Sequence, residues 1–251
     1  MKLDETCAIV TGGASGLGAA VAQHLRGAGA SVMIFDRDAT LGAESAARID
    51  AGFVPVDVTA EPSVIGGIAA AKASMGRITA LINCAGIATG EKTVGRDGPH
   101  ALGSFKRTID VNLVGSFNCL RLAAAEMAAN TPNDDGERGV IINTASIAAY
   151  DGQKGQTAYA ASKAGVAGLS LPAARDMATL GIRVNAIAPG LFLTPMLEGL
   201  GPEVIEGLSA DVQFPKRLGR PEEFARLAAH IIENAYLNGT TIRLDGGLRM
   251  P

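Results

Sequence analysis

The sequence contains few cysteines, and their arrangement argues against two kinds of site. Cys7, Cys84 and Cys119 are odd in number, widely spaced and set among apolar residues. A disulfide framework or a cysteine-based metal site needs paired or closely clustered cysteines. We therefore expect three reduced cysteines in the protein interior, and no metal site.

Long apolar runs and an excess of basic charge are missing as well. No stretch approaches the roughly 18 apolar residues that a membrane span requires. The acidic start, Met1–Thr6, resembles neither a secretory signal nor an organelle transit peptide. The formal net charge is −3 without a long basic segment, so electrostatics gives no reason to expect nucleic acid. These absences predict a cytoplasmic protein that binds neither membrane nor nucleic acid.

What the sequence does contain is a repeated alternation of short apolar runs and helical segments. Seven runs lack polar alternation, as expected for strands buried on both faces of a parallel sheet; they lie at 7–10, 32–35, 53–56, 80–82, 140–142, 184–188 and 241–244. Segments with Ala and Leu at helical spacing lie between them, at 17–28, 61–75, 112–130, 157–179 and 221–234. The pattern predicts one α/β domain over residues 1–251, with a doubly wound parallel sheet and helices on both faces.

A glycine-rich turn follows the first predicted strand and opens the first helix. The segment Thr11–Gly18 places Gly12, Gly16 and Gly18 where the backbone turns tightly and approaches a ligand. A pyrophosphate there meets the free N–H groups of a helix N-terminus, so the turn indicates a dinucleotide site. A purely structural turn is the alternative, and an acid closing the next strand argues against it.

That acid is Asp36, which lies about 20 residues beyond the glycines, where a carboxylate can accept both ribose hydroxyls of adenosine. A 2′-phosphate would set two anions against each other, and the turn 11–18 carries no Lys or Arg. The next residue, Arg37, could instead favour the 2′-phosphate of NADP, but we expect its side chain over the adenine face or in solvent. The sequence therefore favours NAD over NADP.

Tyr159 and Lys163 stand four residues apart on one face of a predicted helix. A nearby ammonium is expected to lower the tyrosine pKa from its ordinary value of about 10, which suits the phenol to general acid–base chemistry. Ser146 follows the strand at 140–142, where its hydroxyl can meet a substrate oxygen. Asn112, near the start of a predicted helix, is placed to hold a water that relays protons toward Lys163.

Each of these residues also has a structural explanation. Ser146 can cap a helix, Asn83 can close a strand end, and a Tyr-x-x-x-Lys pair can lie on a solvated helix face. Asn83–Gly86 and Pro189–Gly190 end two further strands at the same edge of the sheet. Because all of them occur together and in order, we favour an enzyme that moves a hydride between a nicotinamide ring and a hydroxyl carbon.

The complete set of motifs resembles the short-chain dehydrogenase/reductase family over the whole chain. It comprises Thr11-Gly12-x-x-x-Gly16-x-Gly18, Asn83-x-Ala85-Gly86, Asn112, Ser146, Tyr159-x-x-x-Lys163 and Pro189-Gly190. The resemblance implies a seven-stranded Rossmann fold and assembly as dimers or tetramers. It also implies a catalytic set of Asn112, Ser146, Tyr159 and Lys163, with Ser146 and Tyr159 contacting the substrate.

Within this family the chain is similar to the short-chain (type II) 3-hydroxyacyl-CoA dehydrogenase branch. Segments 139–146, 188–192, 214–219 and 238–246 carry the similarity, together with extra polar loops at 89–100 and 130–139. The motifs and this resemblance together imply NAD contacts at Gly12, Ser15, Gly16, Leu17, Gly18, Asp36, Asp57, Val58, Asn83, Cys84, Ala85, Gly86, Tyr159, Lys163, Pro189, Gly190, Phe192 and Thr194.

The substrate side is expected in a loop at about 190–215. Its apolar residues can cover an acyl chain as a lid, or pack as an amphipathic helix on the body; they are Leu193, Met196, Leu197, Leu200, Val204 and Leu208. Four basic residues can meet CoA phosphates or remain solvated; they are Lys92, Arg96, Lys106 and Arg107.

We therefore expect a 3-hydroxyacyl-CoA dehydrogenase that uses NAD. The alternatives are an NAD-linked steroid or other secondary-alcohol dehydrogenase, a carrier-protein-linked ketoreductase using NADPH, and a non-catalytic NAD-binding scaffold. Asp36 argues against the ketoreductase, and the Tyr159–Lys163 pair argues against the scaffold. Small residues on helices 112–130 and 157–179 permit close packing across a two-fold axis, and with the resemblance they predict a homotetramer; they are Ala123, Ala124, Ala125, Ala164, Gly165, Ala167 and Gly168.

Overall fold

The computed structural model describes residues 1–96, 98–194, 197 and 201–250, and within them seven parallel strands form one sheet. These strands are β1 (Cys7–Thr11), β2 (Ser31–Asp36), β3 (Gly52–Pro55), β4 (Ala80–Asn83), β7 (Gly139–Thr144), β8 (Ile182–Pro189) and β9 (Thr241–Leu244). Two short strands, β5 (Val94–Gly95) and β6 (Gly98–Pro99), form a separate antiparallel hairpin. The sheet order β3-β2-β1-β4-β7-β8-β9 reverses direction between β1 and β4.

Helices connect the strands and cover both faces of the sheet. They are α1 (Gly16–Gly27), α2 (Ala39–Arg48), α3 (Glu61–Met75), α4 (Leu102–Ile109), α5 (Gly115–Met127), α6 (Thr157–Met177), α7 (Pro202–Ala210) and α8 (Pro221–Glu233). A π-helical turn, Asp110–Val114, joins α4 to α5 without a break. The doubly wound α/β architecture predicted from the sequence is confirmed.

The core divides between the two faces because successive strand residues point to opposite sides. On one face Val10 packs with Leu25 of α1 and Phe224 of α8, and on the other Ile9 packs with Met127 of α5. All of these side chains are fully buried. Both faces of the sheet are thus apolar, which explains why its strands appear in the sequence as continuous apolar runs.

All seven predicted strands are present, whereas the helices were predicted less completely. The pattern missed α2, α4 and α7, and it started the helix at 112 although the helical segment begins at Leu102. A capping signal for α2 was available, since Asp38 Oδ1 accepts hydrogen bonds from the Thr40 and Leu41 N–H groups. These helices were missed because they are short: α2, α4 and α7 have 10, 8 and 9 residues, whereas a helical pattern is recognised over a window of about 11–18 residues.

Two predicted loops contain more structure than expected. The segment 89–100 includes the β5–β6 hairpin, and α7 lies inside the predicted substrate loop 190–215. Of the apolar residues named there, Met196 and Leu200 fall outside the described residues, as does the side chain of Val204. Ala123 and Ala124, expected at an oligomer surface, are instead buried in the core, since that side of α5 packs on the sheet.

Arg183, buried in β8, closes the C-terminal end of α8. Its Nε donates to Glu137 Oε1 over 2.7 Å. Its two terminal nitrogens donate to the carbonyls of Ile231 (2.7 Å), Ile232 (2.9 Å) and Leu237 (2.9 Å). The last carbonyls of a helix have no partner within the helix, so this guanidinium supplies the buried donors that they need. Arg183 and Glu137 are only 6% and 7% exposed.

Candidate active site

A cleft of about 890 Å³ opens at the carboxyl ends of the strands, where the sheet order reverses. Doubly wound sheets bind ligands at such a switch point. Its lining includes Gly12, Ser15, Gly16, Leu17, Gly18, Asp36, Asp57, Val58, Cys84, Ala85, Gly86 and Thr194. Twelve of the eighteen predicted cofactor residues therefore line one cleft. The lining does not include Asn83, Tyr159, Lys163, Pro189, Gly190 or Phe192.

The glycine turn cannot accept side chains at its central positions. Gly12 has φ +66°, and a Cβ there would lie 2.8 Å from the Ala85 Cα. A Cβ on Gly18 would strike the Gly12 carbonyl oxygen, whereas Gly16, with φ +55°, borders the cleft. The bare backbone and the N-terminus of α1 together make a surface that fits a pyrophosphate.

Thr11 fixes this turn against the turn that follows β4. Its Oγ1 accepts hydrogen bonds from the Cys84 and Ala85 N–H groups, both over 3.1 Å. Because the Thr11 hydroxyl belongs to the glycine turn and binds the turn after β4, the two turns hold a fixed position relative to each other. Thr11 was not among the predicted site residues, and its signal was its place at the head of the glycine motif.

Asp36 lies at the adenosine end of the cleft, with its carboxylate oriented by the backbone. Oδ2 accepts from the Ala14 N–H and Oδ1 from the Asp38 N–H, each over 3.1 Å. Each oxygen retains a second lone pair for a ribose hydroxyl. Arg37 lines the same region and lies near Asp57.

Asp57 remains ionised at neutral pH. Hydrogen bonds from the Thr59 hydroxyl (2.7 Å) and the Thr59 N–H (2.9 Å) hold the pKa of its carboxyl below the usual range. Its predicted position beyond the third strand is correct, and the adjoining Val58 lines the cleft as well. An amine such as the adenine amino group fits this acceptor.

Asn83 lies beneath the cleft. Its Nδ2 donates to the Ser116 carbonyl (3.1 Å) and to Asn143 Oδ1 (2.9 Å), and the residue is only 2% exposed. It therefore ties β4 to β7 and α5. Asn83 thus closes the end of β4 through hydrogen bonds, which is the structural explanation that the sequence analysis considered for it. The next residue, Cys84, lines the cleft instead.

Cys84 borders the cleft as a neutral thiol. Burial raises its pKa to about 11, although the Thr144 hydroxyl, which lies 3.6 Å from the sulfur, acts in the opposite direction. Cys7 and Cys119 are buried, and all three cysteines are free, as predicted. A thiolate nucleophile is thus not part of this site.

Tyr159, Lys163 and Ser146 come together beside this cleft. Lys163 Nζ donates to the Thr144 carbonyl (2.7 Å) and lies 5.8 Å from the centre of the Tyr159 ring. Gly86 connects them to the cleft, because a Cβ there would lie only 3.5 Å from Lys163 Nζ. Ser146 caps the short 3₁₀ turn Ile147–Ala149, as its structural interpretation predicts, and its hydroxyl also acts on the Tyr159 phenol, whose pKa it lowers.

The ionisation of the pair differs from the prediction in one respect. Burial raises the pKa of Tyr159 above its ordinary value, and the hydrogen bond from Ser146 offsets this only in part. Burial also lowers the pKa of Lys163 to about 8. We expected the lysine to lower the tyrosine pKa, but the Tyr159 pKa is shifted by burial and by the Ser146 hydroxyl, and the charge of Lys163 is not among the causes.

Asn112 lies within the π-helical turn and is fully buried. Its side chain donates to Ser162 Oγ (3.0 Å) and exchanges two hydrogen bonds with the backbone of Ile87. Ser162 in turn donates to the Tyr159 carbonyl over 2.7 Å. Asn112 therefore braces α6 against the β4 turn through Ser162, a residue that the sequence analysis did not single out.

The segment after β8 reaches the cleft through Thr194. Phe192 turns away from the cleft and packs edge-on against Phe224, with ring centres 6.3 Å apart. Pro189 and Gly190 lie at the end of β8, where the Gly190 N–H donates to the Leu244 carbonyl over 2.9 Å.

The basic residues predicted to meet CoA have different surroundings. Lys92, Arg96 and Lys106 are exposed, whereas Arg107 lines the dinucleotide cleft beside Val111 and Val114. Arg107 therefore differs from the other three in facing the cleft. The sequence pattern did not predict the position of Arg107, because helix α4 was not predicted.

Two absences concern the part of the chain that the structure describes. No helix there is long and apolar enough to cross a membrane. Among the same residues no three His, Cys, Asp or Glu side chains are grouped as metal ligands.

Known proteins share these features over almost the whole chain. Residues 6–204 match the model of the family described as short chain dehydrogenase. The 3-hydroxyacyl-CoA dehydrogenase type-2 of Homo sapiens is 51% identical over 247 residues, which cover 97% of this chain and 95% of the relative.

Two solved structures extend the similarity to the fold. That of 3-hydroxyacyl-CoA dehydrogenase type-2 from Mycobacterium avium is 47% identical, with a TM-score of 0.93 over 97% of this chain and 96% of that chain. A 7α-hydroxysteroid dehydrogenase complexed with NADH and 7-oxo glycochenodeoxycholic acid is 29% identical, with a TM-score of 0.90 over 100% of this chain and 96% of that chain. Sequence motifs, fold and cleft agree with these relatives, and the chain belongs to the short chain dehydrogenase family, whose members use a nicotinamide dinucleotide.

Proposed function

We propose that this chain oxidises the C3 hydroxyl of a 3-hydroxyacyl-CoA with NAD⁺. The observation that carries the proposal is the identity of 51% with a 3-hydroxyacyl-CoA dehydrogenase type-2, which extends over 97% of the chain. The cleft supports it, since the predicted acid–base residues stand beside a dinucleotide-shaped groove. The nicotinamide ring, when bound, supplies the acceptor of the hydride.

Tyr159 is the proposed general base, and its Oη takes the proton of the substrate hydroxyl. Its raised pKa keeps the phenol protonated at neutral pH, which is the form that reduces a ketone. Oxidation needs the phenolate, so its rate is expected to rise with pH. Ser146 Oγ holds the substrate oxygen next to Tyr159.

Lys163 is the proposed partner of the phenolate and of the nicotinamide ribose. One of its N–H groups is used by the Thr144 carbonyl, and two remain for these ligands. With a pKa of about 8, the amine is mainly protonated at neutral pH and can stabilise a developing negative charge on Tyr159. The relay water proposed at Asn112 would have to share an acceptor, because the side chain is held by Ile87 and Ser162 and the backbone carbonyl accepts the Ser116 hydroxyl over 2.7 Å.

The cofactor is proposed to be NAD. Asp36 faces the adenosine ribose with oriented oxygens, and a 2′-phosphate would meet its negative charge. We expect kcat/KM to favour NAD⁺ over NADP⁺ by at least about tenfold. Asp36→Ala should narrow that ratio, mainly by weakening NAD⁺ binding, as measured by steady-state kinetics with both cofactors.

Asp176→Ala is the matched control, since Asp176 is an exposed acid on α6 away from the cleft. It removes the same charge from the protein and should leave the cofactor ratio unchanged. Equal or better rates with NADP⁺ in the wild type would show that Arg37 outweighs Asp36, and the cofactor assignment would then be wrong.

The substrate is tested with a panel of 3-hydroxyacyl-CoAs of different chain length, steroids and branched secondary alcohols. The expected result is that kcat/KM is highest for a 3-hydroxyacyl-CoA. A steroid is the second candidate, because a 7α-hydroxysteroid dehydrogenase shares the fold with a TM-score of 0.90. A higher kcat/KM for a steroid than for any 3-hydroxyacyl-CoA would replace the proposed substrate. The proposed roles of Tyr159 and Ser146 would remain.

The protein is further proposed to be a single-domain, cytoplasmic homotetramer. Val114, Phe117 and Leu171 are 47%, 50% and 44% exposed on the helices named above, and Ala164 and Gly168 lie beside Leu171 on α6. Apolar side chains next to small residues favour close helix packing between copies. Light scattering should give four times the chain mass of 25.5 kDa. The mass of one chain at micromolar concentration would contradict the assembly.

A further inference from the structure

Arg243 in β9 lies at the carboxyl edge of the sheet without a role in the chemistry described so far. It pairs with Ala188 of β8. Its neighbours Ile242 and Leu244 pack against the core that contains α8. Because strand residues alternate between faces, Arg243 points to the opposite side, where α6 lies.

The guanidinium joins two distant parts of the chain. Its Nε donates to Asp245 Oδ2 and its Nη2 to Asp151 Oδ2, both over 2.7 Å. Nη2 also donates to the Leu248 carbonyl over 3.1 Å, and the group stacks 5.4 Å from the centre of the Tyr150 ring. A planar fork with several fixed donors can hold two carboxylates at once, which a lysine ammonium does less well.

The Asp151 end of this cluster belongs to the segment between Ser146 and Tyr159. The N–H groups of Tyr150 and Asp151 both donate to the Ile147 carbonyl over 2.9 Å, in the turn that Ser146 caps. The next residue, Gly152, packs so closely on α6 that a Cβ would lie 3.0 Å from the Ala160 Cβ. This segment therefore rests on the helix residue adjacent to Tyr159.

The Asp245 end belongs to the wall formed by the end of β8. A Cβ on Gly190 would lie 2.9 Å from the Asp245 Cα, so the two backbones are in direct contact. Asp245 is well enclosed, with a side chain only 9% exposed. Arg243 thus connects the turn that carries Ser146, the start of α6 that carries Tyr159, and the Pro189–Gly190 turn.

We propose that Arg243 is a positioning residue, which holds the segment Tyr150–Gly152 against the end of β8 and so fixes Ser146 relative to Tyr159. It touches neither cofactor nor substrate. The effect on turnover rests on the proposed function, but the effect on Tyr159 does not. If the segment becomes mobile, the Ser146 hydroxyl no longer keeps a fixed position relative to the Tyr159 phenol. Its stabilisation of the Tyr159 phenolate then decreases.

The first test follows the ionisation of Tyr159 by absorbance near 295 nm. The chain has three tyrosines and no tryptophan, so Tyr150→Phe and Tyr236→Phe leave Tyr159 as the sole tyrosine while retaining the ring beside Arg243. In this background Arg243→Met should raise the titration midpoint by about half a pH unit or more, through the loss of the Ser146 hydrogen bond. Arg249→Met is the control and should leave the midpoint unchanged, since Arg249 also contacts Asp245 but is 60% exposed.

The second test compares kinetic parameters. Arg243→Met should lower kcat/KM for the substrate by roughly 10- to 100-fold, as expected for a misplacement of about 1 Å, while KM for NAD⁺ changes less than about twofold. Arg243→Lys should recover part of the loss. Asp151→Ala removes the hydrogen bond between Arg243 and the segment Tyr150–Gly152 without altering Arg243. It replaces Arg243→Met in both tests if the methionine variant does not fold.

Two results would overturn the proposal. One is a Tyr159 midpoint that is the same in the parent, Arg243→Met and Asp151→Ala proteins. The other is a loss of turnover that appears equally in Arg249→Met. If the wild type turns over no 3-hydroxyacyl-CoA, the proposed function fails, but the titration still decides the role of Arg243.

Discussion

Tyr159→Phe is expected to lower kcat for alcohol oxidation by roughly two to four orders of magnitude, the contribution typical of general acid–base catalysis. The substitution removes only the hydroxyl, and the ring keeps its packing in the site. NADH binding, followed by fluorescence, should remain close to the wild-type value, because the glycine turn and Asp36 are untouched. The expected loss is therefore in kcat and kcat/KM rather than in cofactor affinity.

The pH profile gives this prediction a second readout. Burial raises the Tyr159 pKa, so the wild-type oxidation rate should increase with pH as the phenolate forms, and the reverse reaction should slow over the same range. The phenylalanine variant should lack that dependence. Tyr236→Phe is the control, since Tyr236 is completely exposed. A kcat of Tyr159→Phe within a few-fold of wild type would show that Tyr159 is not the general base.

Arg183→Met is expected to destabilise the protein by about 3–5 kcal/mol, because it removes the guanidinium that pairs with the buried Glu137 carboxylate and leaves it only the N-terminal ammonium of Met1, 3.1 Å away. It also removes the donors to the carbonyls at the end of α8. For a chain of this size, roughly 2–4 °C of melting temperature is lost per kcal/mol. Thermal unfolding followed by circular dichroism should therefore show a decrease of about 6–20 °C.

The control is Arg175→Met, which removes an exposed arginine from α6 and should alter the unfolding free energy by no more than about 0.5 kcal/mol. Adding Glu137→Gln to Arg183→Met should recover only part of the loss, since it removes the carboxylate that has lost its guanidinium but takes the salt-bridge partner from the N-terminal ammonium of Met1. A melting temperature of Arg183→Met within a degree or two of wild type would show that the buried pair does not stabilise the fold.

The strands could be predicted almost completely from the sequence, because a sheet covered on both faces imposes an uninterrupted apolar run. Ile9 and Val10, for example, serve opposite cores and are both fully buried. Helices are covered on one side only, so their apolar pattern is recognised only when it repeats over several turns. Helix α4 has only eight residues and was missed for that reason.

The candidate site was predictable where chemistry demands a residue type at a fixed spacing, as with Gly12, Gly18 and Asp36. It was not predictable where the role depends on the direction of a side chain. Asn83 and Phe192 have suitable positions in the chain but turn into the protein. Arg183 and Arg243 were not singled out, because their partners lie tens of residues away and only the fold brings them near.

The π-helical turn at Asp110–Val114 has a consequence for how this helical segment can be altered. A π-helical turn carries one residue more than a regular turn, and each residue rotates a helix by about 100°. The extra residue lets Asn112 face Ser162 of α6, while Cys119, Ala123 and Met127 further along face the sheet. Deletion of a single residue here would straighten the helix but turn one of these faces to solvent. The segment therefore tolerates changes of side chain far better than changes of length.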